Sequence, residues 1–188
     1  MTKPTKEQAE QAVKTLLDYI GDDTTREGLK DTPARVIRSY NELFVGYQDS
    51  VAAILNKRFT DISEYNDVVL LRSIDFTSTC EHHMLPFAGT VDIAYIPNGV
   101  VIGLSKLARL VDLFSKRLQI QERMTANIAS ALQDNLSPLG VAVRVSATHS
   151  CMTTRGAMKG RSVMDTTHFT GVYNEQPQKR QEFWEMLK

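Results

Sequence analysis

Val141-Ala142-Val143-Arg144-Val145-Ser146-Ala147-Thr148-His149-Ser150-Cys151 sets Val141, Val143, Val145 and Ala147 against Ala142, Arg144, Ser146 and Thr148. This period-two alternation predicts a β-strand with the three valines on one face. If the strand runs on without a bulge, His149 and Cys151 fall on that same apolar face. Polar groups projecting from an apolar face need partners, and a metal ion is one solution. Immediately upstream, Ser137-Pro138-Leu139-Gly140 breaks the preceding helix.

The chain has two cysteines and four histidines. The other cysteine lies about 70 residues upstream, in Thr79-Cys80-Glu81-His82-His83-Met84-Leu85-Pro86-Phe87. A Cys-x-x-His turn can present a soft sulfur and a nitrogen to one ion, and Cys151 can add a second sulfur. Two thiolates and one imidazole suit Zn²⁺, and three protein ligands leave a fourth position for water, as in catalytic sites. The same residues also fit ordinary buried thiols. A structural metal site is a third reading, though it would normally offer four ligands in paired Cys-x-x-Cys spacings. A disulfide has no support from any mark of secretion.

At 188 residues the chain reads as one compact unit. Lys and Arg number 22 and Asp and Glu number 22, so no global charge favours nucleic acid or an acidic membrane surface. Any anion site must come from local clustering. Met1-Thr2-Lys3-Pro4-Thr5-Lys6-Glu7-Gln8 lacks the apolar centre of a signal peptide, and no apolar run of about 18 residues occurs. The expected location is the cytoplasm, where thiols stay reduced.

Residues 5–21 predict an amphipathic helix with Ala9, Val13, Leu16, Leu17 and Ile20 on its stripe. Thr24 and Glu27 have the spacing of a capping box, and Thr32-Pro33 of a helix start. The next stripe is Val36, Ile37, Tyr40, Leu43 and Phe44. From Asn66 the pattern turns strand-like, through Val68–Phe76 into the Cys80 cluster. Residues 89–96 alternate with Val91, Ile93 and Tyr95 on one face, and Pro97-Asn98-Gly99 predicts a turn before a short strand at 100–102. Ser105 is positioned to cap a helix with Leu107, Leu110, Val111 and Phe114 inward. Lys106 and Arg109, three residues apart, share one of its faces. A second helix runs from about Gln121 to Leu136, with Met124, Ile128, Ala131 and Leu132 inward. A strand at about 163–173 and a terminal helix from Pro177 complete the order. Helices and strands in this succession predict an α+β fold, an antiparallel sheet faced by helices.

Five motifs resemble the GTP cyclohydrolase I family in order and spacing. They are Cys80-Glu81-His82-His83-x-Leu85-Pro86-Phe87, Ile93-Ala94-Tyr95-Ile96-Pro97, Gly103-Leu104-Ser105-Lys106-Leu107-Ala108-Arg109, Gln121-Glu122-Arg123 and Thr148-His149-x-Cys151-Met152. Arg26-Glu27-Gly28-Leu29-x-Asp31-Thr32-Pro33-x-Arg35-Val36 is also similar, so the resemblance runs from about residue 5 to 185. It implies the tunnelling fold, whose ββααββ units assemble into a barrel, with an N-terminal helical region at 1–60 and a catalytic domain at 61–188. It further implies a homodecamer with active sites at subunit boundaries. The implied reaction converts GTP and water to 7,8-dihydroneopterin triphosphate and formate, the first step towards tetrahydrofolate, other pterins or 7-deazaguanine bases.

By the same resemblance Cys80, His83 and Cys151 are the zinc ligands. His149 exchanges a proton with the guanine ring nitrogen, while His82 and Ser105 act around the ribose. Glu122 and Gln121 belong to the guanine pocket, and Arg35, Lys106, Arg109 and Arg155 meet the triphosphate. The chain departs from the family at Ala157-Met158-Lys159-Gly160-Arg161 and at Met164-Asp165-Thr166, beside the expected triphosphate path. Two other readings separate cleanly. A pterin or deazapurine enzyme of the same fold would lack this ligand set, and a structural-zinc binding module would show four protein ligands.

Overall fold

The structure is a computed structural model that describes residues 2–62 and 65–188. It divides into two compact units, Met1–Val45 and Gly46–Lys188. The first holds α1 (Lys6–Ile20), α2 (Glu27–Lys30) and α3 (Thr32–Leu43). Thr5 caps α1 through Gln8, whose side chain bonds back to the Thr5 backbone, and Gly21 closes it with φ 91°.

Two expected caps differ. Thr24 does not cap α2, which starts at Glu27 behind Arg26; the Thr24 hydroxyl donates instead to Asp18 Oδ1 at 3.2 Å. Thr32 is already helical, and its hydroxyl donates to the Gly28 carbonyl.

The second unit opens with α4 (Val51–Ile54) and β1 (Arg58–Phe59), followed by the long strands β2 (Val69–Cys80) and β3 (Pro86–Ile96). Next come β4 (Val101–Ile102), α5 (Leu104–Ser115), β5 (Leu118–Gln119) and α6 (Gln121–Leu136). The chain ends with β6 (Gly140–His149), α7 (Ser150–Thr153), β7 (Met164–Phe169), α8 (Val172–Glu175) and α9 (Pro177–Met186). Residues 46–60, grouped with the N-terminal helices on sequence, pack here, with Ile54 and Leu55 buried in the core. Ser105 does not cap α5: Gly103 holds that position and Ser105 lies in the first turn.

The main sheet has the order β5-β2-β3-β6-β7, while β1 and β4 pair separately. Its β2–β3–β6–β7 pairings are antiparallel, and β5 joins β2 in parallel. One face carries Val91, Ile93, Tyr95, Val141, Val143 and Val145 against α5 and α6, whose Leu107, Leu110, Met124, Ile128 and Leu132 are all fully buried. The other face is covered too. Ala94, Ile96 and Ala142 pack with Tyr173 and Phe183 in a second, smaller core. The alternation in β3 and β6 therefore separates two cores, the second built on Ala94, Ile96 and Ala142 beside the charged pair Asp92 and Arg144.

Candidate metal centre

β2 and β3 are joined by a tight turn whose Met84 amide donates to the Cys80 carbonyl at 2.8 Å, while the Cys80 amide donates to the Leu85 carbonyl at 2.8 Å. Met84 takes φ 53° to close it. One helical turn places residues three apart on one side, so Cys80 and His83 face together. β5 steadies this turn, because the Glu81 amide donates to the Gln119 carbonyl at 3.0 Å. Arg123 on α6 reinforces it by pairing with the Glu81 carboxylate and donating to Gln119 Oε1 at 3.1 Å.

Cys151 arrives differently from expectation. β6 ends at His149 and the chain turns into α7, so Cys151 is not a continuation of the strand. The helical turn still carries its sulfur to Cys80. The donor atoms of Cys80, His83 and Cys151 all lie within 4.8 Å of one another. Cys80 is buried, Cys151 half-buried and His83 exposed. Zn²⁺ holds sulfur at about 2.3 Å and imidazole nitrogen at about 2.0 Å, which needs donors within roughly 4 Å of each other. The trio fits such an ion with little adjustment. Burial and the neighbouring Cys80 sulfur push the Cys151 thiol upward, and a dication between the sulfurs would reverse that by favouring both thiolates. These residues could therefore hold a metal.

His149 ends β6, two residues before Cys151. Its ring stacks on Phe87, centroids 4.6 Å apart and planes 5° apart, across the Phe87–His149 pair of β3 and β6. Its Nε2 is 2.8 Å from Gln121 Oε1. Burial pushes the imidazole below its ordinary value, and the nearby Glu122 carboxylate acts the other way. Gln121, expected on sequence in the guanine pocket, is fully buried, with its amide committed to protein groups. Glu122, next along α6, is exposed. Arg155 Nη1 lies 2.9 Å from His83 Nε2, so this cation reaches the metal trio.

The other expected residues are not drawn in by contacts within this unit. Exposed His82 has its ring 6.4 Å from that of His83. Ser105, Lys106 and Arg109 lie on the first turns of α5, and Arg35 belongs to the first unit, where it pairs with Asp31. Sequence reading missed Phe87 as the ring under His149, and Arg123 as the brace of the turn. Both lie inside quoted motifs, but their roles depend on strand register, which no local pattern announces.

Comparison with known proteins gives a consistent result. The family model described as GTP cyclohydrolase I matches residues 9–188. The chain is 60% identical over 183 residues to GTP cyclohydrolase 1 of Rickettsia felis, covering 97% of this chain and 96% of that one. It is 57% identical, with the same coverage, to GTP cyclohydrolase 1 of Rickettsia akari. No helix among the described residues is long and apolar enough to cross a membrane.

Proposed function

This chain belongs to the GTP cyclohydrolase I family, and on that premise we propose that Cys80, His83 and Cys151 hold the zinc ion of an enzyme acting on GTP. The reaction is the conversion of GTP and water to 7,8-dihydroneopterin triphosphate and formate. The observation that carries the reading is the convergence of two sulfurs and one imidazole from turns separated by about 70 residues. Zinc held there would supply Lewis-acid chemistry and water activation near neutral pH.

The chain's own residues do the rest. His149, whose imidazole burial pushes below its ordinary value, exchanges a proton with the ring nitrogen next to the carbon that leaves as formate. His82 cannot readily share an ion with the adjacent His83, which leaves it free for proton transfer, and the family resemblance implies that it acts at the ribose, with Ser105. Glu122 reads guanine, since one carboxylate accepts from both the ring N–H and the exocyclic amine, and bases lacking those donors would leave it unpaired once bound. Gln121 sits at the same end of α6 as Glu122. Arg35, Lys106, Arg109 and Arg155 neutralise the triphosphate, where guanidinium forks match phosphate oxygens. We place these residues in one site by assembly of a homodecamer in the cytoplasm.

The test is incubation of folded, zinc-loaded protein with GTP, following formate release and pterin absorbance. Formation of both in equal amounts is the expected result, and unchanged GTP overturns the reading.

A further inference from the structure

Gln121 is the first residue of α6, 1% exposed, and its side chain makes four polar contacts. Its Nε2 lies 3.0 Å from the Val145 carbonyl, 2.9 Å from the Met164 carbonyl and 3.2 Å from Thr166 Oγ1. Carbonyl oxygens only accept, so the –NH₂ end of the amide must face β6 and β7. The amide therefore has one orientation, with Oε1 towards His149 Nε2 at 2.8 Å. An amide oxygen also only accepts. Hence His149 Nε2 must carry the hydrogen, and in the neutral ring Nδ1 keeps the lone pair. The plane of the same ring is fixed by Phe87, stacked at 4.6 Å.

We propose that Gln121 is a positioning residue that locks His149 in its Nε2–H tautomer, so that Nδ1 is the nitrogen that exchanges the proton with substrate. The proposal rests on the reading of the site as a GTP hydrolase. It also moves Gln121 from lining the guanine pocket to orienting the proton-transfer group. Thr125 and Thr166 complete the device. The Thr125 hydroxyl donates to the Gln121 carbonyl at 2.7 Å, and it lies 2.7 Å from Thr166 Oγ1. The start of α6 and the β7 strand are thereby held where both carbonyls reach the same amide.

The test combines a tautomer measurement with kinetics on zinc-loaded protein. Magic-angle-spinning NMR of ¹⁵N-histidine-labelled protein, assigned by difference against His149→Gln, reads which ring nitrogen is protonated. Wild type should show Nε2–H at His149; an Nδ1–H ring there overturns the proposal without any variant being needed. Gln121→Met keeps the length and removes the acceptor. It should give a mixed or Nδ1–H ring and lower kcat by about 10²-fold, with KM for GTP changed less than about 3-fold.

Gln121→Glu separates positioning from packing. A carboxylate still accepts from Nε2–H but donates to neither carbonyl, so a purely structural Gln121 would make Glu the worse replacement. Positioning predicts that Glu retains the Nε2–H ring and a kcat within about 10-fold of wild type. If Gln121→Met keeps both tautomer and turnover, the proposal fails. If wild type itself leaves GTP untouched, the functional reading fails, and the tautomer measurement still decides this one.

Discussion

Cys151 reaches the metal trio by leaving its strand, and that detour decides what each neighbour can do. His149 remains in β6 and keeps its strand partner Phe87, while the turn of α7 gives Cys151 the freedom to approach Cys80. Cys151→Ala should therefore weaken zinc binding by more than the about 10–100-fold typical of a lost outer-shell partner. Turnover should fall with it, as metal analysis of dialysed protein and GTP assays would show; full zinc content would remove Cys151 from the ligand set. His149→Ala should retain zinc and lose about 10²–10⁴-fold in kcat, and loss of metal there would mean that the ligand is wrongly assigned. Glu122 is exposed at the start of α6. Glu122→Gln keeps the shape but removes the charge, so kcat/KM for GTP should drop about 10–100-fold, the value of a hydrogen bond to a charged group. Sizing should show unchanged assembly, and unaltered kinetics would exclude a guanine-reading role.

The elements that could be read from sequence are those whose own residues specify them. The span of α6 from Gln121 to Leu136 follows from its apolar stripe and the Ser137-Pro138 break, and Ser137 closes it with φ 47°. Caps were read less well, because Thr24, Thr32 and Ser105 suit a cap equally well one or two positions from the true ones. Least legible was β2. Its register against β3 shifts between Leu71 and Ile74, so two residues of β2, Arg72 and Ser73, oppose one of β3, Asp92. That extra residue flips the parity. Val69 and Leu71 pack on the main core, and after the bulge so do Ile74, Phe76 and Cys80. Without it Cys80 would face the opposite side of the sheet from the core it now enters. Ser73 carries the bulge at φ 57°, its amide donating at 2.9 Å to Oδ1 of buried Asp92, which also lies 3.8 Å from Arg144. Asp92→Ala should thus cost about 1.5–3 kcal/mol in denaturant unfolding, the value of a charge-assisted hydrogen bond. It should also weaken zinc binding, although Asp92 touches no ligand. Equal zinc affinity in a destabilised variant would break the link from bulge to metal.

At the scale of the whole molecule, the sheet is left unfinished within one chain. β5 covers β2 only at Thr79 and Cys80, and among the described residues no strand pairs with the outer edge of β7. Open strand edges of this length invite pairing with other chains, and closed rotational assembly is the ordered way to remove them. Large apolar side chains exposed on the same unit, Leu104, Leu139 and Trp184 among them, would gain cover in the same step. The metal donors, by contrast, come from a single chain and lie in one cluster. Assembly and metal binding should therefore be separable. Sizing of the protein should give ten times the 21.1 kDa chain. A strong chelator should abolish formate release while leaving that size unchanged, and added zinc should restore turnover without a lag for reassembly. If chelation instead splits the particle, zinc supports the subunit boundary as well as the chemistry. The reading of Cys80, His83 and Cys151 as a ligand set complete within one chain would then fail.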